Sequence, residues 1–160
     1  MSNRHPSTDE LRHTTVAKTR RAGWLQKQIV LPNNIRKVPQ LAAFMGEVCK
    51  AAGYDAATTM QLNLALEEAV VNVMNYAYPK DVQGNIYIET STDDTHLQFT
   101  ITDNGTPFDP TAKEDADTSL PLAERPIGGL GIHLVRQIMD SIHYEYINGQ
   151  NVLTLRKKLP

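Results

Sequence analysis

The sequence predicts an α+β fold, a two-layer sandwich in which helices cover one face of a mixed, mainly antiparallel sheet. Three observations support this prediction. Segments whose apolar residues recur with a helical period alternate with segments that have a strand period. The later strand segments come in pairs joined by short turns, which is typical of antiparallel hairpins. The order is one strand, two helices, two strands, a long loop, one helix and two strands.

Length and composition exclude several classes of protein. The chain has 160 residues, of which 41% are hydrophobic and 21% charged, so it is long enough for one domain with a substantial core. Its single cysteine cannot form an internal disulfide, and no Cys/His cluster has zinc-site spacing. No apolar run reaches the roughly 20 residues of a transmembrane helix, and the amino terminus does not have the pattern of a signal peptide. A net charge of −2 gives no overall attraction for nucleic acid. We therefore expect a cytoplasmic chain that binds neither membrane nor nucleic acid directly.

The first residues differ in character from the rest. They are polar, have no period, and carry five basic residues against two acidic ones. We predict that residues 1–24 form a mobile tail and that residues 25–160 form one domain. A basic arm that touches an acidic partner is the alternative.

The first half of the domain reads as one strand and two helices. A strand at residues 26–33 precedes a helix predicted over residues 36–52, and Gly53 ends that helix. Asp55 is a candidate N-cap for a second helix, which runs to about Tyr78 because a proline follows.

The second half contains four strands and one helix. Residues 85–92 and 96–102 alternate between apolar and polar like antiparallel strands. A third helix is predicted over residues 131–142. Two final strands, residues 143–147 and 151–157, form a hairpin across an Asn-Gly turn.

Polar residues follow one side of the second predicted helix. Glu68, Asn72 and Asn75 lie at positions i, i+4 and i+7, beside the apolar face. A lone glutamate would indicate only a solvated face, but asparagine is a poor helix former and suggests that its amide has something to bind. Carboxylate and amide oxygens one turn apart suit a hard cation such as Mg²⁺. The carboxylate can also polarise a nucleophile.

Two further motifs favour a nucleotide. Asp103 ends a strand just before Gly105, in a segment that can be a simple turn or can point a carboxylate at an exocyclic amine such as that of adenine. Residues 128–131 contain three glycines and open the third helix, where backbone amides favour phosphate. A purely conformational loop is the alternative, and neither the P-loop nor the Rossmann pattern matches.

In this order the motifs resemble those of the Bergerat-fold ATPases, the GHKL superfamily. Within it they are most similar to the bacterial anti-sigma-factor serine kinases of the sporulation and general-stress branch. Residues 66–72, LEEAVVN, resemble the N box of that family. Residues 103–109, DNGTPFD, resemble its first glycine box, and residues 128–132, GGLGI, its second. The resemblance spans residues 28–158.

The resemblance implies a set of site residues. Glu68 would be the catalytic base, Asn72 would hold Mg²⁺ against ATP, and Asp103 would bind the adenine amino group. Residues 110–127 would form a lid over the nucleotide, and on geometric grounds Arg125, near its end, would meet the γ-phosphate. The other candidate nucleotide contacts are Asn75 (from the helix geometry), Gly105, Phe108, Gly129, Leu130, Gly131 and Ile132.

The expected function is that of an ATP-dependent serine kinase acting on a STAS-domain antagonist protein, with a sigma factor as a second partner. The family resemblance also implies a homodimer. The family often has a basic residue eight positions after the N-box glutamate, and here that residue is Tyr76, so catalytic turnover is less well supported than ATP binding. Two alternatives stay open: a non-catalytic ATP-gated module that sequesters a partner, and a detached histidine-kinase catalytic domain.

Overall fold

The computed structural model describes residues 23–112 and 129–160. Arg125, most of the predicted lid and nearly all of the predicted tail lie outside these residues. None of the helices in the two described ranges is long and apolar enough to cross a membrane. In chain order the elements are β1 (Lys27–Pro32), α1 (Gln40–Ala52), α2 (Ala56–Tyr76), β2 (Asn85–Thr92), β3 (His96–Asp103), α3 (Gly129–Ile138), β4 (Ser141–Ile147) and β5 (Gln150–Lys158).

The five strands form one sheet in the order β1-β2-β3-β5-β4, and each neighbouring pair is antiparallel. Side chains alternate across the sheet: along β3, Leu97, Phe99 and Ile101 are buried and the residues between them are half-buried. The buried side chains of the sheet and of the helices form one core. The predicted two-layer α+β fold with a mainly antiparallel sheet is confirmed, and the described residues contain no parallel pair.

Helix α1 begins later than the sequence predicts. A single 3-10 turn occupies Ile35–Lys37, and the α-helix starts at Gln40 instead of residue 36. Pro39 is the reason, because a proline has no N–H to donate to an earlier carbonyl and so sits at the start of a helix. The predicted end is confirmed, since Gly53 adopts a left-handed conformation with φ of 91°.

Helix α2 begins where the sequence indicates. The Asp55 side chain accepts a hydrogen bond from the backbone N–H of Thr58 at 2.7 Å, which is the geometry of an N-cap. The helix ends at Tyr76, two residues earlier than expected. It packs against both α1 and α3, so its buried residues extend over two of its sides.

Helix α3 is displaced relative to its prediction over residues 131–142, because it spans Gly129–Ile138. Ile142, expected on the inner side of this helix, lies in β4 opposite Leu155. The physical cause is Asp140, which donates its backbone N–H to Arg156 and accepts the backbone N–H of Lys158 with its carboxylate. These two hydrogen bonds attach the chain to β5 and start a strand where the apolar pattern alone allows a helix to continue.

Two glycines with opposite conformational needs provide a test of the fold. Gly149 has φ of 75° in the β4–β5 turn, with no atom near an added Cβ, so G149A should lower the free energy of unfolding by about 1 kcal/mol through backbone strain alone. Gly46 lies inside α1, also with free space, so G46A should raise that free energy by roughly 0.5–1 kcal/mol. Chemical denaturation of both variants measures this, and shifts of the same sign would contradict the backbone conformations described.

Candidate functional site

Asp103 is a buried carboxylate at the last position of β3, with 1% of its surface exposed. Its Oδ1 accepts hydrogen bonds from the backbone N–H of Gly105 at 2.8 Å and from Nδ2 of Asn151 at 2.9 Å. Burial raises the pKa of the Asp103 carboxyl above its usual range, and these two hydrogen bonds act in the opposite direction. Oδ2 accepts no hydrogen bond from the described part of the chain, which leaves it for a donor on a ligand.

Asn151, on β5 directly opposite Asp103, fastens the loop that follows β3. Its Nδ2 also donates to the carbonyl of Thr106 at 2.8 Å, and its Oδ1 accepts from the backbone N–H of Phe108 at 3.0 Å. Sequence reasoning missed this residue. The available signal was a buried-face position in β5, which continues with Leu153 and Leu155, that holds a polar side chain.

The loop of the first glycine box, residues 103–109 and here called the Asp103 loop, is also held against the end of α2. The backbone N–H and hydroxyl of Thr106 both donate to the carbonyl of Ala77, at 2.7 and 2.9 Å. Gly105 permits this approach, because a Cβ there would lie 2.4 Å from the same carbonyl oxygen. The predicted first glycine box is therefore attached to the helix that carries the predicted N box.

Glu68 and Asn72 lie one turn apart on α2. Asn72 is 5% exposed and Glu68 is half-buried, and neither side chain makes a hydrogen bond within residues 23–112 and 129–160. The neighbouring Glu67 is different, since it accepts a hydrogen bond from Asn63 at 3.2 Å. The fully buried side-chain polar atoms without a partner in the described residues belong to Asn63 and Arg156, so the Asn72 amide keeps some access to water or a ligand. These two oxygen-bearing side chains therefore fit a hard cation with its waters.

Phe108 joins the site to α2 through a ring stack. Its ring lies 5.3 Å from that of Tyr76, with 25° between the planes, and Tyr76 follows Asn72 by one helical turn.

Asn75 lies apart from this ring stack. It is exposed and lines a cavity of about 970 Å³ with residues that include Lys80 and Asn85. Among the described residues, no other predicted site residue lines that cavity.

Residues 129–132 of the second glycine motif form the start of α3, and Gly128 lies outside the described residues. Gly129, Leu130 and Gly131 lie in its first turn, followed by Ile132, which is buried. The first amides of a helix have no partner within it and point away from its N-terminus, where they favour anions. Helix α3 packs on α2, and the guanidinium of Arg136 donates to the carbonyl of Thr111 at 2.8 Å, which connects α3 to the segment after the first glycine box.

Three chemical functions are therefore connected to one another. A buried carboxylate that can accept from an amine ends β3, an acid–amide pair lies on α2, and helix amides open α3. This combination, on this fold, defines a nucleotide-binding domain of the ATPase class.

Comparison with known proteins gives the family. A family model described as the histidine kinase-like ATPase domain matches residues 31–157. The chain belongs to the histidine kinase-like ATPase domain family. The resemblance to the GHKL superfamily is confirmed, and the use of ATP follows from this membership.

Curated relatives and a solved structure agree with this membership. The chain is 28% identical over 130 residues to the serine-protein kinase RsbW of Bacillus cereus (strain AH187), which covers 79% of this chain and 81% of that protein. The same values hold for RsbW of Bacillus anthracis (strain A0248) and of Bacillus thuringiensis (strain Al Hakam). The crystal structure of the RsbU and RsbW domains of a Mycobacterium tuberculosis protein superposes with a TM-score of 0.60 and 18% identity, over 84% of this chain and 32% of that one. The chain thus spans about a third of that structure. The superposition supports the fold.

The contact between Gly105 and Ala77 gives a prediction. In G105A the new methyl group would collide with a backbone carbonyl, so the loop must move, and we expect a loss of about 1–3 kcal/mol in the free energy of unfolding together with weaker ATP binding. The control is T106V, which replaces the hydroxyl by a methyl group and keeps the backbone hydrogen bond, at a cost of about 0.5–1 kcal/mol. Denaturation and titration calorimetry measure both effects. Equal stability of G105A and wild type would contradict the contact.

Asp103 gives a second prediction, in which stability and binding change in opposite directions. Because its pKa is raised in the folded state, the folded chain binds the proton more tightly than the unfolded chain, and this group's contribution to stability decreases as pH rises through its folded pKa. D103N removes the buried charge and presents an N–H₂ donor in place of Oδ2. We expect stability at pH 7 equal to or above that of wild type, with ATP affinity lower by about tenfold or more. Unchanged ATP affinity in D103N would show that the carboxylate does not contact adenine.

Proposed function

We propose that the chain is an ATP-dependent protein-serine kinase that phosphorylates a STAS-domain antagonist of an anti-sigma factor. The observation that carries the proposal is the Glu68–Asn72 pair, which lacks protein partners in the described residues and is fixed to the Asp103 loop through the end of α2. The similarity to curated serine-protein kinases named RsbW supports the choice of serine as acceptor.

Glu68 is the proposed base. Its carboxylate would accept the proton of the serine hydroxyl as the serine oxygen bonds to the γ-phosphorus and the bond to the β-phosphate oxygen breaks, which leaves ADP. Phosphoryl transfer requires positioning and charge neutralisation more than covalent chemistry from the protein. A half-buried carboxylate on a rigid helix meets the positioning requirement.

Asn72 would hold Mg²⁺ through its amide oxygen. The fit rests on its amide, which has no hydrogen-bond partner in the described ranges and lies one turn from a carboxylate. Bound Mg²⁺ supplies positive charge against the triphosphate. Asp103 would accept the adenine amino group, and the first amides of α3, from Gly129 to Ile132, would donate to phosphate oxygens.

Tyr76 stands where the family resemblance leads us to expect a basic residue, so that cation is replaced by an aromatic contact to Phe108. The proposal therefore assigns charge neutralisation to Mg²⁺, to the helix amides and to Arg125, which stays a prediction as the cation that meets the γ-phosphate.

The proposed partners follow from the family resemblance. The unphosphorylated antagonist would bind this chain and displace a sigma factor, and phosphorylation would release the antagonist. We further propose a homodimer that acts in the cytoplasm, where sigma factors function, without direct contact to nucleic acid.

A non-catalytic ATP-gated module is the second candidate, and the observation in its favour is Tyr76 in place of a basic residue. Such a module would bind ATP and a protein partner without transferring phosphate to it. A detached histidine-kinase domain would instead give phosphohistidine, which acid destroys, whereas phosphoserine survives acid.

The decisive experiment uses ATP labelled at the γ-phosphate, Mg²⁺ and the STAS-domain protein encoded nearest to this chain's gene. We expect acid-stable label on a serine. E68Q should lower the transfer rate by about 100-fold or more and keep ATP affinity within a few-fold, because a general base contributes to the chemical step. The matched control is E67Q, one residue away and bonded to Asn63, which should transfer at close to the wild-type rate. Absence of labelled serine, or full labelling by E68Q, would refute the kinase assignment.

A further inference from the structure

The side chain of Asn151 uses its whole hydrogen-bonding capacity within the protein. Its amide nitrogen donates to Asp103 Oδ1 and to the Thr106 carbonyl. Its amide oxygen accepts from the Phe108 backbone N–H at 3.0 Å and from the Tyr144 hydroxyl at 2.5 Å. An amide has two N–H donors and two lone pairs on oxygen, so none is left for a ligand. Any role of Asn151 in function is therefore exerted through the groups that it holds.

These four partners fix the orientation of the amide. Two donors lie at its oxygen and two acceptors lie at its nitrogen. A flipped amide would place oxygen against the Asp103 carboxylate and the Thr106 carbonyl, and N–H₂ against two donors. Tyr144, half-buried on β4, supplies the one partner that comes from outside the Asp103 loop. Its hydroxyl therefore helps to keep a donor directed at Asp103.

The hydrogen bond from Asn151 defines which oxygen of Asp103 is available. It occupies Oδ1 together with the Gly105 N–H, so a ligand amine meets Oδ2. The same amide holds the backbone of Phe108, whose ring stacks on Tyr76 one turn beyond Asn72. One buried side chain, 4% exposed, thus connects the proposed adenine end of the site with the α2 end.

We propose that Asn151, oriented by Tyr144, is a positioning residue for adenine recognition: it holds the Asp103 carboxylate turned so that Oδ2 accepts the 6-amino group of the base. The proposal rests on the ATP use assigned above and adds the residue pair that enforces it. It predicts that adenine affinity depends on two side chains that never touch the nucleotide.

The test is N151D, which has nearly the same shape but places a second carboxylate oxygen about where Nδ2 stood, 2.9 Å from Asp103 Oδ1. Two carboxylates so close cannot both be ionised, so the pair would take up one proton. Asp103 then has no fixed donor at Oδ1, so titration calorimetry with Mg²⁺ and ATP should give an affinity about tenfold or more below wild type.

Two further variants make the test specific. Y144F removes only the hydroxyl that orients the amide, and should weaken ATP binding by about threefold to tenfold at every pH, so it tests the proposal even where N151D does not fold. The control is Q150A, which removes the neighbouring exposed hydrogen bond from Gln150 to Asn104 at 3.0 Å, and should bind ATP like wild type.

Two results would overturn the proposal: wild-type ATP affinity in N151D, or wild-type ATP affinity in Y144F. Because binding is measured apart from phosphoryl transfer, a wild-type chain that binds ATP and transfers no phosphate contradicts the kinase assignment alone. A wild-type chain that binds no ATP contradicts both.

Discussion

The hydrogen bond between Asp103 and Asn151 is the interaction on which the site depends. It joins β3 to β5 at a point where both side chains face the core, and there a carboxylate is stable only with donors around it. The antiparallel register supplies one donor from the opposite strand, and the turn after β3 supplies the other through Gly105. The sheet therefore places Asp103 at the end of β3 and also supplies, through Asn151, a donor to its carboxylate.

The end of helix α2 is the second constraint. The Ala77 carbonyl lies at a helix end, where it has no partner within the helix. It accepts hydrogen bonds from Thr106 of the Asp103 loop instead of from water. The loop after β3 and the helix with Glu68 and Asn72 are thus fixed to each other by these two hydrogen bonds. Because α1 and α3 pack on two sides of α2, that helix has little freedom to shift relative to the sheet.

Local signals predicted much of this structure. The Asp55 cap, the Gly53 stop and the Asn148-Gly149 turn each depend on neighbouring residues, so they are readable from the sequence. The boundaries of α1 and α3 required more, since Pro39 delays one helix and contacts with β5, distant in sequence, end the other. Asn151 escaped prediction because its role requires the strand register, and the helical spacing of Asn75 gave a direction without showing which residues surround it.

The most direct test of the account compares the affinity of the wild-type chain for ATP and for ITP in the presence of Mg²⁺. The two nucleotides differ in the purine, where an amino donor at position 6 is replaced by a carbonyl acceptor. An Asp103 carboxylate held with Oδ2 toward the base as an acceptor predicts that ATP binds about tenfold or more tightly, since ITP would place two acceptors against each other. Equal affinity for the two nucleotides would contradict the account.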